Sequence, residues 1–348
     1  MKAITNIKYL KNIFLLTILL FSTSVVLAQE EEKPKFSFSG SVDAYYRANL
    51  NSANAGENYS APGSSFANLP GFALGMANVI AGYEGEKVGF VADLVFGPRG
   101  EDAVFGTPLG SSNIINQLYA YWNVSDKVKL TFGNFNTFLG YEVISPVANF
   151  NYSTSYLFSY GPFSHAGLKA DFAISDDFSL MLAVMNPTDQ TTLNISGTYA
   201  FGAQLGYSGQ YLNALVDHGA FEIDFTGGFD LTDSFFLGIN AAYFDNDEDV
   251  SFAGVALYPQ LATSDNFTIG LRGEYFTETN LGAIGANDIN GDANVFAITL
   301  TGSATIGDLI IKPELRLDSA SEDTTFLDNN GEPISSLSSF VLAAVYSF

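Results

Sequence analysis

The chain has 348 residues, of which 47% are hydrophobic and 14% aromatic, and its formal net charge is −23 at pH 7. With 14 basic against 37 acidic residues, it cannot bind nucleic acid through the usual phosphate contacts. The absence of cysteine excludes disulfides, thiolate metal sites and lipid attachment at a cysteine, and no apolar run after the first 28 residues is long enough for a transmembrane helix.

The N-terminus has the pattern of a secretory signal peptide. Three lysines precede an apolar stretch, and Val26 and Ala28 lie three and one positions before a cut after Ala28. The alternative is an uncleaved anchor, but the apolar stretch is shorter than the roughly 20 residues that a spanning helix needs. We therefore expect a signal peptide at 1–28 and a single exported domain at 29–348.

Strict alternation of apolar and polar residues predicts a series of β-strands. In 308–318, for example, Lys312, Glu314, Arg316 and Asp318 alternate with apolar residues, and each charge would cost roughly 2–4 kcal/mol if it faced lipid near the bilayer midplane. A soluble sandwich shows the same alternation, but two further features favour a membrane barrel. They are the signal peptide and the C-terminal Phe348, which ends a strand with an apolar face. Sixteen strands are predicted, at 36–50, 71–84, 87–97, 115–125, 128–138, 163–174, 177–187, 198–207, 210–218, 221–231, 234–245, 250–262, 266–277, 294–305, 308–318 and 337–348.

The connections between these strands alternate between short and long, as expected when one end of a barrel carries periplasmic turns and the other carries extracellular loops. The fold class predicted is an all-β, transmembrane antiparallel up-and-down barrel. The outer turn between 210–218 and 221–231 is very tight, so a count of 14 strands remains an alternative.

The third long connection, Leu139–Pro162, is the candidate constriction, because a barrel of about 16 strands is wide enough to leave an aqueous channel. Its polar and aromatic residues suit a channel lining, although the same composition fits an ordinary exposed loop. The constriction residues predicted are Glu142, Asn149, Asn151, Tyr152 and Tyr156.

The region 131–187 resembles the OmpL-like β-barrel porin family of bacterial outer membranes. The resemblance is carried by Phe132-Gly133-Asn134-Phe135, Gly140-Tyr141-Glu142-Val143, Ser145-Pro146, Asn149, Asn151-Tyr152-Ser153, Gly161-Pro162, His165-Ala166-Gly167 and Asn186-Pro187. Ala166 departs from the usual Thr-Gly that follows the histidine. The resemblance implies a general diffusion porin, and it does not specify the solute.

Charged residues on the polar faces of the strands are predicted to line the pore. They are Asp43, Arg47, Asp93, Lys129, Lys169, Asp171, Glu222, Asp224, Arg272, Glu274, Lys312, Glu314, Arg316 and Asp318. With Asp217 added, acids outnumber bases nine to six, which predicts a modest cation preference because rings of charge set ion selectivity. The alternative is that neighbouring charges form salt bridges that pack the inner wall.

The outer loops carry most of the remaining acid, and two of them place oxygen ligands at alternate positions. These are Asp288, Asn290 and Asp292, and Asp328, Asn330 and Glu332, but neither set has the glycine or the distal glutamate of a calcium loop. Plain solvated loops are the preferred interpretation, with Ca²⁺ left open. His165 and His218 are the two histidines, and neither has a nucleophile at a diagnostic spacing, so we expect no enzyme activity, no cofactor and no metal.

The final strand ends on Phe348 and places Phe340, Leu342, Ala344 and Tyr346 on the same face. It resembles the closing strand of bacterial outer-membrane barrels, where this strand is the signal for the barrel-assembly machinery. The predicted protein is an outer-membrane porin in contact with lipid that passes small hydrophilic solutes. The alternative is a non-transport barrel, an adhesin or receptor that acts through its acidic loops. A homotrimer is expected only by analogy with other 16-stranded porins.

Overall fold

The computed structural model describes residues 35–106, 113–284 and 291–348. The predicted signal peptide and the loop residues Asp288 and Asn290 lie outside the described residues.

Sixteen antiparallel strands form one closed barrel, in which each strand pairs with its neighbours in the chain and the first strand pairs with the last. The predicted count of sixteen is confirmed, the alternative of 14 is wrong, and every predicted boundary lies within two residues of the observed one. The barrel strands are β1 Lys35–Asn49, β2 Gly71–Glu84, β3 Val88–Phe96, β4 Ile115–Ser125, β5 Val128–Asn136, β6 Ser164–Ala173, β7 Phe178–Met185, β8 Ala200–Tyr207, β9 Gln210–Asp217, β10 Ala220–Thr232, β11 Phe235–Asn246, β12 Ser251–Ser264, β13 Phe267–Thr279, β14 Asp292–Ile306, β15 Leu309–Ala320 and β18 Ser336–Ser347.

Successive side chains of a strand point to opposite faces, and here the apolar set points outward. In β15, Leu315 and Leu317 are 49% and 45% exposed, whereas Glu314 and Arg316, at the alternate positions, are buried inside the barrel. Phe72 and Phe132 on other strands are 90% and 70% exposed. An apolar outside and a polar inside are the reverse of a soluble protein and fit a wall that faces lipid.

The C-terminus closes the ring. The backbone N–H of Phe348 donates to the carbonyl of Gly40 at 3.0 Å, and the N–H of Gly40 donates back to the Phe348 carbonyl at 3.1 Å. The Phe348 ring lies 6.1 Å from the ring of Phe38, measured between centroids.

The tight outer turn is a true hairpin. Asp217 pairs with Ala220, so only His218 and Gly219 connect β9 to β10, and both have positive φ, 37° and 86°. Two residues with positive φ are the signature of the type I′ turn, which favours glycine at its second position. A two-residue connection between β9 and β10 is therefore a regular β-turn, although its shortness in the sequence is what suggested a count of 14 strands.

The described residues of the long connections include two short helices and one small hairpin. The helices are α1 Pro98–Ala103 and α2 Tyr156–Tyr160, and the hairpin pairs β16 Phe326–Leu327 with β17 Pro333–Ile334. No helix in the described part of the chain has the length and hydropathy needed to cross a bilayer.

Candidate functional site

The connection between β5 and β6, residues 137–163, lies inside the barrel and is named here the inward loop. The backbone N–H of Gly140 donates to Asp224 of β10 at 3.1 Å, and that of Tyr141 donates to Asn240 of β11 at 3.3 Å. These strands lie several positions around the barrel from β5 and β6, so the loop extends across the lumen.

Buried carboxylates of the wall accept hydrogen bonds from the backbone of the inward loop. Glu274 of β13 accepts from the N–H groups of Tyr156 at 3.0 Å and Leu157 at 2.8 Å, the first residues of α2. Glu314 of β15 accepts from the N–H of Tyr152 at 2.9 Å. The first N–H groups of a helix have no partner within the helix, so Glu274 satisfies donors that would otherwise be buried unpaired.

Two buried arginines of the wall also bind the loop. Arg272 of β13 forms an ion pair with Glu142 of the loop at 2.7 Å, and both side chains are almost fully buried. Arg316 of β15 pairs with its neighbour Asp318 at 2.7 Å and donates to the carbonyl of Thr154 at 2.8 Å. Each guanidinium therefore has a carboxylate partner, which buried charge requires.

Two further cations bind carbonyl groups of the loop. Lys312 of β15 donates to the carbonyls of Pro146, at 2.9 Å, and Asn149. Arg99 of α1 enters from the second outer loop and donates to the carbonyl of Ile144 at 2.8 Å. Arg99 is the one base among the long connections of the sequence, and no other sequence signal indicated that it turns inward.

Glycines of the inner wall make room for side chains of the inward loop. A Cβ atom at Gly238 would lie 2.6 Å from Cζ of Tyr141, and one at Gly270 would lie 2.9 Å from Cζ of Phe150. Real Cβ atoms do not approach so closely, so each glycine is a seat for one loop side chain. The seats and their occupants are Gly202 with Phe138, Gly238 with Tyr141, Gly254 with Leu157, and Gly270 with Phe150.

The first outer loop covers the inward loop from the long-loop side. The N–H of Ser65 donates to Oγ of Ser159 at 2.7 Å, and the Tyr160 hydroxyl donates to the carbonyl of Gly63 at 3.0 Å. Burial raises the pKa of the Tyr160 phenol to about 12, so the hydroxyl keeps its proton as a donor.

A buried aspartate fixes the return of the inward loop into β6. Asp189, in the connection after β7, accepts from the N–H groups of Phe163 at 2.9 Å and Ser164 at 2.7 Å. Burial, with a smaller contribution from the nearby charge of Asp217, raises the pKa of the Asp189 carboxyl to about 6, although the two hydrogen bonds oppose the shift.

All fourteen residues predicted to line the pore lie on the inner side of the barrel, but they do not share one environment. Eleven are buried, most of them beneath the inward loop or within the polar network of the wall. The half-buried ones are Lys129, Lys169 and Asp171 on β5 and β6, with a Lys169–Asp171 separation of 3.6 Å. The predicted salt-bridged wall thus describes part of the barrel, and only three of these charges are half-buried and not fully buried.

The five predicted constriction residues lie in the inward loop, and all five are buried. They bind the wall and the loop itself: Asn151 donates to Thr301 at 2.7 Å, and the Tyr152 hydroxyl donates to Asp43. The half-buried Tyr141 and Phe150 turn toward a cavity of about 560 Å³ between the underside of the loop and the short-turn ends of β11, β12, β14 and β15. No sequence signal separated these residues from their buried neighbours.

The histidines have structural partners or a place in a turn. His165 is fully buried at the start of β6, with Nε2 3.0 Å from the Thr137 hydroxyl and its ring 5.3 Å from that of Phe138. In the described ranges, no three His, Asp or Glu side chains are close enough to hold a metal ion. Asp328 accepts hydrogen bonds from the N–H groups of Asn330 and Glu332, so its carboxylate closes the turn of the β16–β17 hairpin.

Comparison with known proteins gives a family and a set of similar structures. A family described as "Putative beta-barrel porin-2, OmpL-like" matches residues 35–348. No curated protein matches the chain.

Solved outer-membrane channels share the fold at low sequence identity. The DcaP channel of Acinetobacter baumannii has a TM-score of 0.58 at 13% identity, covering 92% of this chain and 99% of its own. An anion-selective porin from Comamonas acidovorans has a TM-score of 0.59 at 12% identity, covering 91% and 100%. OmpT of Vibrio cholerae, solved in a trimer form, has a TM-score of 0.52 at 10% identity, covering 90% and 99%.

Proposed function

The chain belongs to the OmpL-like β-barrel porin-2 family, and we propose that it is a passive channel of the bacterial outer membrane for small hydrophilic solutes. The observation that carries this proposal is the closed barrel whose lipid side is apolar and whose inner side is polar. Such a wall is stable only around water or polar protein, and the inward loop narrows the space without being part of the wall. Diffusion through it requires no catalysis and no cofactor.

A modest cation preference is part of the proposal. Of the fourteen inner-wall charges from which this preference was predicted, eleven are buried, and the half-buried ones are two lysines and one aspartate. The stronger support for a cation preference comes from the long loops that surround the entrance. Arg99 is the one base in the sequence of these loops, and its side chain is buried. Exposed acids there concentrate cations at the entrance. They are Glu57, Glu101, Asp102, Asp247, Glu248, Asp249, Asp292, Glu322, Asp323 and Glu332.

Planar-bilayer recording tests both parts. The purified protein is expected to give stable conductance steps, and a salt gradient is expected to give a reversal potential of the sign that cation flow produces. A reversal potential of the opposite sign would refute the cation preference and leave the channel intact.

The alternative function is a non-transport barrel that binds a partner through its acidic loops. The extensive burial of the inner wall beneath the inward loop favours it, because a lumen filled across its width would not conduct. Absence of conductance steps from correctly folded protein would support this alternative and would refute the channel.

Assembly through the C-terminal strand and association into a homotrimer complete the proposal. The ring-closing contacts of Phe348 with Gly40 and Phe38 support the first, since the last strand must pair for the barrel to close. Crosslinking of the protein in outer-membrane vesicles, followed by electrophoresis, tests the second, and a ladder that stops at the monomer would contradict it.

A further inference from the structure

The cavity beneath the inward loop has the size and lining of a ligand site. Its volume of about 560 Å³ lies within the range of roughly 300–1,000 Å³ typical of small-molecule sites. It lies between the loop segment around Phe150 and the short-turn ends of the wall strands, so a solute that passes the loop would reach it.

Four aromatic rings line this cavity. The rings of Tyr141 and Tyr258 stack with their centroids 4.3 Å apart, and Phe150 and Phe236 also line the space. Flat aromatic faces bind the C–H faces of a solute through dispersion and apolar burial and need no charge on the solute.

Unpaired polar groups lie beside these rings. Gln260 of β12 and Ser303 of β14 point into the cavity, and neither side chain has a hydrogen-bond partner among the described residues. An amide offers two donors and an acceptor, and a hydroxyl offers both roles. Together they match a solute whose own groups both donate and accept, as hydroxyl groups do.

The charges at the cavity edge are already engaged. Glu142 pairs with Arg272 at 2.7 Å, and the Lys312 ammonium is bound by the carbonyls of Pro146 and Asn149. The Glu142 carboxylate is neutralised by its ion pair and the Lys312 ammonium is already held by two carbonyls. An anionic solute would therefore have to compete with those carbonyls, whereas a neutral solute leaves these bonds intact.

We propose that this cavity is a binding subsite for neutral polyhydroxylated solutes of the size of a mono- or disaccharide. The inference rests on the proposed channel function and names the class of solute that would be retained within it. Sugar rings stack their C–H faces on the aromatic side chains while their hydroxyls pair with Gln260 and Ser303.

The test is sugar block of single-channel current. Maltose added in increasing concentration is expected to lower the conductance along a saturable curve. Gln260→Ala and Ser303→Ala are each expected to raise the half-blocking concentration about three- to tenfold, the effect of losing one or two hydrogen bonds. Gln117→Ala is the matched control, because Gln117 also points inward, from β4, but lies outside the cavity, and it should leave the half-blocking concentration unchanged.

The outcomes separate this proposal from the channel itself. Conductance steps that fall with maltose only as they fall with polyethylene glycol of equal mass would refute the subsite and leave the channel standing. Tighter block by gluconate or glucosamine than by maltose would refute the assignment to neutral solutes. If the protein gives no steps, the channel function fails, and calorimetric titration of maltose into the purified protein in detergent still decides the subsite: binding that Gln260→Ala weakens supports it, and no binding refutes it.

Discussion

Ion pairs at two positions in this barrel differ in burial, and that difference determines what each pair contributes. Arg272 and Glu142 have almost no exposed side-chain surface, whereas Lys169 and Asp171 have 26% and 38% exposed. Removing one partner of a buried pair leaves an uncompensated charge and typically costs about 3–5 kcal/mol, but an exposed pair contributes about 0–1 kcal/mol.

Arg272→Met is therefore expected to destabilise the barrel markedly and to loosen the inward loop. The loss leaves Glu142 buried without its cation and removes a donor to the carbonyl of Ser153. Thermal unfolding in detergent, followed by circular dichroism, measures the change. Lys169→Met is the matched control, since it removes a cation of the same lumen, and equal losses for the two variants would contradict the argument.

The carboxyl of Asp189 provides a pH dependence of stability. Its pKa in the folded protein, about 6, is above the ordinary value of 3.8, so the folded state binds the proton more tightly than the unfolded chain. The corresponding stability is fully present below the unfolded pKa and is lost as the pH rises through about 6, with an upper limit of about 3 kcal/mol.

Asp189→Asn is expected to reduce the gain in stability on acidification from about pH 7.5 to about pH 5. Asparagine keeps an oxygen that accepts from the N–H groups of Phe163 and Ser164, so the loop return should remain intact. Melting temperatures at the two pH values measure the effect. Asp249→Asn, which changes an exposed loop carboxyl, should leave the difference as in the wild type.

At the scale of the elements, strand β13 accommodates the inward loop at Gly270, where the lack of a side chain leaves room for the Phe150 ring. Gly270→Ala is expected to destabilise the protein by about 1–3 kcal/mol or to displace the Phe150 ring, because the new Cβ would overlap it. Detergent melting and single-channel conductance together detect either result.

Gly273→Ala on the same strand is the control. The nearest atom to its Cβ would be Cδ2 of Leu271 at 4.0 Å, an ordinary contact, so the substitution should be neutral or slightly stabilising. Destabilisation of both variants to the same extent would show that the cost comes from strand propensity and not from the loop seat.

The strands were predictable from sequence because lipid and water impose a period of two on every one of them. In β15, four ionised residues at alternate positions fixed the orientation of the whole strand. The partners of the inward loop were not predictable, because Gly270, Gly238 and Arg99 carry no periodic signal and depend on contacts more than 40 residues apart in the chain. For the same reason the polar loop residues could be identified, but not the direction in which they point.

At the scale of the whole molecule, closure depends on the last residue. Phe348→Ala is expected to lower the amount of folded protein in the outer membrane, because it removes the ring that packs on Phe38 at the seam between β18 and β1. Comparison of heated and unheated samples by electrophoresis measures the folded fraction. Phe132→Ala is the control, because it removes a lipid-facing phenyl ring from β5, away from the seam. It should lower the folded fraction less than Phe348→Ala does.

The two-residue link at His218 and Gly219 makes the outer rim uneven. Every other outer connection is longer, so the ring of loops around the entrance is lowest above β9 and β10. A large molecule that approaches the entrance from the long-loop side would therefore meet the least obstruction at this turn.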